Sequence, residues 1–334
     1  MTRYSSTLRQ NSGSSTWEKR EIRNKWQNLL AVFVTLVLVF ALISGIGKSL
    51  SFGKLLGSST WDGSSSVSAI LNTEVPSILV YQTYPKHLVL LTLDGNSNFA
   101  TGNITQPVRT LGSVFEGGDG AEMVATVSKI AHVPISNFTL FSTRLKIDEK
   151  SIEDQFKQFA SIATPFKILI KGTEYATNTD FTRKDLFRLW WQVKSMNVND
   201  IEVLGTSSLH EEIVLAGGQK VLGIDDTSLN ALLAKYLENR RILEAKEKVV
   251  VVNASGVGGA GKLAADYVSA VGGSVDKIEV LDSPRQNSSI IAQKSYTAVY
   301  LAKLFDCDIT NEPNMEKDSI TIFVGRDFSK KYSL

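Results

Sequence analysis

The sequence predicts an α/β protein: one N-terminal transmembrane helix followed by two extracytoplasmic α/β domains. Three observations lead there. Leu29 to Ile46 reads LLAVFVTLVLVFALISGI, an uncharged apolar run matching the roughly 18–20 helical residues that a bilayer core requires. From Pro76 onward, short β-branched runs alternate with segments of helical period, the pattern of mixed α/β domains. Near the C-terminus a fully apolar strand, a glycine-rich turn and a helix follow one another directly, as parallel strand pairs demand.

The apolar run decides where the rest of the chain works. Arg3, Arg9, Lys19, Arg20, Arg23 and Lys25 precede it against Glu18 and Glu21, and basic residues beside a first span hold that end in the cytoplasm. Everything after Gly47 is then expected outside the membrane. An uncleaved anchor is favoured over a cleaved signal because the run and its leader are long and no clear A-x-A site follows.

Composition bounds the remainder. The 334 residues suffice for the anchor plus two domains. A net charge of +2, with 21% charged residues, gives no general pull toward nucleic acid. Cys307 is the single cysteine, so an exported chain has no internal disulfide and its domains stand on apolar burial. Cys307 follows Leu301, Leu304 and Phe305, which favours a buried thiol over intermolecular pairing. The expected organisation is a basic cytoplasmic tail over 1–28, the span over 29–47, a Ser/Gly-rich linker over 48–75, one α/β domain over 76–246 and a second over 247–334.

Within the first domain, SILVYQT and HLVLLTL read as strands around a turn at Pro85. Asp119 to Ala131 reads as a helix, Asn137 to Ser142 as a strand, Ser151 to Ala160 as a helix, and FKILIKG as a further strand. Thr182 opens a helix with Asp185 placed for a capping box; Leu186, Leu189, Trp190 and Val193 share its inner face. IEVL from Ile201 is a strand. Asp226 is expected to cap a long helix that ends in the charged run ENRRILEAKEK. In the second domain VVVVNAS, VDKIEVL and SITIFV read as strands, with helices through Leu263–Val271 and Tyr296–Phe305.

Gly256-Val257-Gly258-Gly259-Ala260-Gly261 matches G-x-G-x-x-G between a strand and a helix and, with Lys262, nearly matches a P-loop. Three departures argue against a nucleotide site. Leu263 stands where Ser or Thr would hold magnesium, the unit is too small for a two-lobed dinucleotide fold, and the topology places it where nucleotides are scarce. The glycines are expected to make a tight turn and a close helix-to-sheet contact. Gly256, Gly258 and Gly261 remain a candidate weak anion site at the helix start.

The segments VVVVNASGVGGAGKLAADYVSAVGG, SYTAVYLAKLF and SITIFVGRDF, over residues 247–330, resemble the C-terminal domain of LytR-CpsA-Psr proteins. The shared pattern is a strand ending in Asn253, the Gly256–Gly261 loop, an Ala-rich helix ending in Gly272, paired aliphatic positions from Val299 to Leu304, and a closing Gly325-x-Asp327-Phe328. Members of that family combine a short cytoplasmic tail, one membrane helix and an extracytoplasmic domain. In active members that domain is a magnesium-dependent phosphotransferase, moving a polyprenyl-phosphate-linked glycopolymer onto peptidoglycan. Such chemistry needs arginines on the pyrophosphate and carboxylates on the metal. Residues 76–225 resemble it in YPKHLVLLTLDGNS and in GGDGAEMVATVSKIAHVPISNFTLF. However, Leu93-Asp94-Gly95 stands in place of Pro-Arg-Asp, and no Arg-Ser-Asp accompanies SILVYQT. Asp180 and Arg183 fit the start of the family's Asp/Arg helix, but Leu186 and Phe187 replace an Arg-Gln pair.

The resemblance therefore implies a degenerate relative with no catalytic residues and no cofactor. It would be held in the cell membrane with its N-terminus cytoplasmic, and would bind or organise cell-wall polymer or an envelope protein, with neither nucleic acid nor nucleotide as partner. Asp180, Arg183 and Arg188 are its candidate ligand-binding residues. The alternative is a divergent Mg-dependent phosphotransferase attaching polyprenyl-pyrophosphate-linked glycopolymers to peptidoglycan.

His87, His132 and His210 have no ligands at metal-binding spacing. Asp94, Asp119, Asp225 and Asp226 are expected to serve turns and caps rather than a metal. Arg183, Lys184, Arg188 and Lys194 flank the Thr182 helix, where a solvated face is favoured over an anion-docking face; Trp190 and Trp191 are expected in the core.

Overall fold

In the computed structural model, residues 61–100, 108–171, 178–214, 218, 220–312 and 318–334 are described. All of them lie in one compact unit, Ser58–Leu334. The expected tail, the 29–47 span and the first part of the linker fall outside these residues. Among the described residues no helix is long and apolar enough to cross a membrane.

The chain runs β1 (Val67–Leu71), β2 (Ser77–Thr83), β3 (Lys86–Thr92), β4 (Asn98–Ala100) and β5 (Val108–Thr110), then helices α1 (Leu111–Gly117) and α2 (Gly120–Ala131). Next come β6 (Asn137–Leu140), α3 (Glu149–Ala160), α4 (Thr164–Lys171), β7 (Asn178–Thr179), α5 (Arg183–Val193), β8 (Ile201–Gly205), β9 (His210–Val214) and β10 (Lys220–Ile224). Helices α6 (Asp226–Leu237) and α7 (Arg240–Ala245) lead to β11 (Lys248–Asn253), α8 (Ala260–Ala270), β12 (Ser274–Val280), β13 (Ser289–Ala292), α9 (Tyr296–Leu304), β14 (Asp308–Asn311), β15 (Ser319–Val324) and α10 (Arg326–Lys331).

Three sheets result. A six-stranded sheet has the order β7-β6-β1-β2-β3-β8, a four-stranded one β5-β4-β10-β9, and a five-stranded one β12-β11-β15-β13-β14. In the last, β11 pairs parallel with both β12 and β15, while β13 runs antiparallel to β15. Successive side chains on a strand face opposite ways, so the six-stranded sheet has two apolar faces. Ile70, Ile78, Val80, Val89 and Leu91 pack against α1, α2 and α6 in a closed core. Their neighbours in sequence face α3 and α5, where Trp61, Val67, Ala69, Tyr81, Phe156, Leu189 and Val193 form a smaller cluster. A third cluster joins β11, β13 and β15 to α8, α9 and α10.

Four expectations are corrected. FKILIKG is not a strand; its residues Phe166–Lys171 lie in α4, where Pro165 sits in the first turn, a position that spares its missing N–H. A short apolar run fits either period; here Ile168 is buried while Phe166 is exposed. The linker does not extend to residue 75. Trp61 is buried, and β1 lies inside the sheet between β2 and β6, where the hydroxyl of its one serine, Ser68, donates to the Pro134 carbonyl and accepts from the Ser136 amide. The cap of α6 is Asp225 rather than Asp226. The charged run is not its tail either: α6 stops at Leu237, and Asn239 caps the separate α7.

The capping box on α5 is present. Asp185 accepts from the Thr182 amide at 3.2 Å and from its hydroxyl at 2.7 Å, and Thr182 Oγ1 accepts from the Asp185 amide at 3.1 Å. Asp185 is 0% exposed and also accepts from the Trp61 amide at 3.3 Å. Arg188 donates to the Trp61 carbonyl, so α5 holds the incoming chain by both backbone groups of one residue. Replacing Asp185 by Ala removes a cap and strands buried donors; urea unfolding is expected to show a loss of about 2–3 kcal/mol.

Candidate apolar cavity and the glycine turn

The second face of the six-stranded sheet is not filled. Between it and helices α3 and α5 lies a cavity of about 420 Å³, within the roughly 300–1,000 Å³ typical of small-molecule sites. Ala69, Leu71, Leu79, Leu88 and Leu90 form its floor, while Ile152, Phe156, Phe159, Leu186 and Leu189 form its roof. Among the described residues its wall contains no arginine and no carboxylate, and Lys146 carries its one charge. At the end lined by Thr73, Phe141, Leu145 and Lys146, hydrogen bonds bridge the β1–β2 turn to the segment after β6. Asn72 Nδ2 donates to the Phe141 carbonyl at 3.2 Å, the Phe141 amide donates to Asn72 Oδ1 at 2.6 Å, and the Glu74 amide donates to the Leu145 carbonyl at 3.0 Å.

The predicted binding residues do not gather in this cavity. Thr179 and Phe181 line it, but Asp180 between them faces a separate groove of about 1020 Å³ bordered by α2, β4 and the start of α8. There the carboxylate accepts from the Phe138 amide at 2.9 Å and from Asn137 Nδ2 at 3.2 Å. Desolvation raises its pKa above the usual carboxylate value, an effect these two hydrogen bonds only partly offset. Arg188 is committed to Trp61, and Arg183 stands at the first position of α5, outside both linings.

Leu93-Asp94-Gly95 is turn structure. Leu93 is buried and its amide donates to the Pro76 carbonyl at 2.7 Å, while Gly95 accepts from the Gly112 amide at 2.8 Å. Asp94 accepts from the Asn96 amide at 2.9 Å and lies 3.4 Å from His210 Nε2. Asp119 caps α2 and Asp225 caps α6. His132 lies 2.6 Å from Asp266, and His87 lies 3.0 Å from Glu202. Among the described residues no three His, Cys, Asp or Glu side chains gather to hold a metal. The carboxylates present are occupied as caps and pair partners and do not fit a magnesium site.

Gly256, Gly258 and Gly261 are brought together in one turn, and its inner donors are already used. Asn253 Oδ1 accepts from the Ser255 amide at 3.1 Å and the Ser255 hydroxyl at 2.7 Å. Ser255 Oγ in turn accepts from the Val257 amide at 3.0 Å, and Asn253 Nδ2 donates to the Val257 carbonyl at 2.9 Å. Gly256 has φ +75, and a Cβ there would meet Pro284 Cγ at 3.0 Å. At Gly261 a Cβ would meet Asn253 at 3.0 Å and Ile278 at 3.2 Å, whereas at Gly258 it would meet nothing. Closure of the turn and approach of α8 to the sheet account for two of the three glycines.

The closing motif is equally tight. Asp327 accepts from the Ser288 amide at 2.8 Å and its hydroxyl at 2.7 Å. A Cβ on Gly325 would strike Asn287 at 2.5 Å. Phe328 stacks among Tyr267, Phe305 and Tyr332, with ring centroids 4.8–5.9 Å apart. Nearby, burial pushes the half-buried Cys307 thiol up to about 12, far from a reactive thiolate.

Residues 246–328 match the family described as LytR cell envelope-related transcriptional attenuator. Asn253, Gly256, Gly261 and the Gly325-x-Asp327-Phe328 close of this LytR-type domain are the residues whose contacts have just been described. No curated protein matches the chain. Solved structures that resemble it include the Lin1025 protein from Listeria innocua, 12% identical with TM-score 0.37, covering 52% of this chain and 98% of that one. TagV from B. subtilis is 9% identical with TM-score 0.39, covering 52% and 96%. The LytR-CPS2A-psr family protein TagT with bound octaprenyl pyrophosphate lipid is 11% identical with TM-score 0.35, covering 53% and 92%. Likenesses this distant assign no ligand to this chain.

Two variant sets test these contacts. Gly256→Ala is expected to cost about 1–2 kcal/mol from its backbone angle and the Pro284 contact, whereas Gly258→Ala stays within about 0.5 kcal/mol of the parent; chemical unfolding measures both. For Asp180, a carboxyl with a raised folded pKa contributes stability that is full below the unfolded pKa and is lost as pH rises through the folded one. Asp180→Asn is therefore expected to melt above the parent at neutral pH. Melting curves recorded at falling pH should show that advantage shrinking through the carboxylate range.

Proposed function

We propose that this chain is a single-pass membrane protein of the cell envelope whose exported part holds the apolar chain of a lipid-linked wall polymer without transferring it. The carrying observation is the cavity between the six-stranded sheet and helices α3 and α5, whose wall among the described residues has one cation, no arginine and no carboxylate. An apolar chain is favoured there by burial, at about 25 cal/mol per Å². A pyrophosphate head would find no arginine in the wall, and phosphoryl transfer depends on positioned charge. The LytR-type domain supports an envelope setting, and the basic leader with its apolar run supports an anchor with the folded part outside. In this reading the carboxylates at Asp94 and Asp180 are structural, and the glycine turn packs α8 rather than binding an anion.

Octaprenyl pyrophosphate, the lipid named for TagT, is the probe. Added to the full chain in micelles at about a hundred times its Kd, a bound ligand raises folding stability by about 2.7 kcal/mol, so the melting transition is expected to move up. Leu90→Trp, which fills the floor, is expected to abolish the shift. No phosphate release above background is expected with magnesium. Absence of a shift in the parent rejects the reading; magnesium-dependent hydrolysis favours the phosphotransferase alternative.

A further inference from the structure

The edge formed by the α3–α4 turn, α4 and the outer side of α5 carries three exposed large apolar side chains. Ile162 is 83% exposed, Phe166 63% and Trp191 56%, whereas Trp190 beside it is 7% exposed. The expectation that both tryptophans are core thus fails for Trp191. These groups belong to one stretch of surface. The Trp190 indole donates to the Ser161 carbonyl at 2.9 Å, immediately before Ile162, and the Trp190 and Trp191 rings lie 6.0 Å apart. Lys194 Nζ sits 3.3 Å from the Trp191 ring centroid. At 100° per residue, Arg183, Lys184, Phe187, Trp191 and Lys194 share the outer side of α5, opposite Leu189 and Val193. That side has no acidic residue; the nearest acids in sequence on α3 are Glu153, paired with Lys157, and Asp154.

Aromatic side chains flanked by lysines match the boundary between headgroups and acyl chains. Trp settles there by its amphipathic ring, and lysines reach anionic headgroups. The path of the chain selects the same edge. The described structure begins at Trp61, clamped by Asp185 and Arg188 of this very helix. Residues 48–60, which separate that clamped residue from the expected anchor, can span no more than about 45 Å even when fully extended.

We propose that this edge rests on the outer leaflet of the bilayer that holds the anchor, with Ile162, Phe166 and Trp191 at the acyl boundary and Lys184 and Lys194 among anionic headgroups. The proposal rests on the single-pass anchor given above. It gives the cavity a direction, because α3 and α5 wall the cavity and also border the docked edge: an apolar chain leaves the leaflet beside the space that receives it.

The test uses the full unmodified chain in vesicles of phosphatidylcholine and phosphatidylglycerol doped with a diazirine-tailed phosphatidylcholine, with cross-links mapped by mass spectrometry. The expected result is labelling of two regions, 29–47 and the peptides spanning 161–168 and 183–194. In the triple variant Ile162→Ser, Phe166→Ser, Trp191→Ser, labelling of the second region is expected to fall about tenfold while that of 29–47 holds and the melting transition is unchanged. Cross-links confined to 29–47 overturn the docked edge and leave the anchor standing. Failure to label 29–47 overturns anchor and docking together.

Discussion

The buried carboxylate of Asp185 is the constraint from which the described structure takes its shape. It closes the first turn of α5 through Thr182 and receives the Trp61 amide, so a helix, its cap and the incoming chain share one acceptor. A desolvated carboxylate is tolerated only when its lone pairs are engaged, and here three donors engage them. With α5 fixed in that way, its inner residues Leu186, Leu189 and Val193 stand over the sheet and leave the space beneath α3 open.

The two faces of the six-stranded sheet show how one strand pattern yields opposite outcomes. On one face Ile70, Ile78, Val89 and Leu91 meet the small and branched side chains of α1, α2 and α6 and the space closes. On the other, Ala69, Leu79, Phe156 and Phe159 line a cavity. Native interiors seldom leave such space empty, which is why that face carries the functional argument.

Much of this was legible in the chain and some of it was not. SILVYQT, SITIFV, the helix after Asp119 and the Thr182 cap appear where their patterns put them, because strong β-branched runs and side-chain caps act locally. β1 was hidden because it follows directly on a Ser/Gly-rich stretch; the burial of its Ser68 depends on partners far along the chain. FKILIKG misled because its period is ambiguous over so few residues. β9 and β10 are half polar and pair mainly with each other, leaving little amphipathic signal. The glycine turn was readable as packing since Leu263 denied it a magnesium ligand, but which glycines matter became visible only through Pro284 and Ile278. The cavity left no mark in the sequence, for an absence of atoms is a property of assembled elements.

That void links the fate of the protein to what surrounds it. Side chains lining unoccupied apolar space forgo contacts that a guest would restore, and any species that binds only the native state draws the folding equilibrium toward it. A chain of this design is most durable when its occupant is plentiful. Starvation for that occupant would then show first as faster turnover of the protein, before any change in what it does.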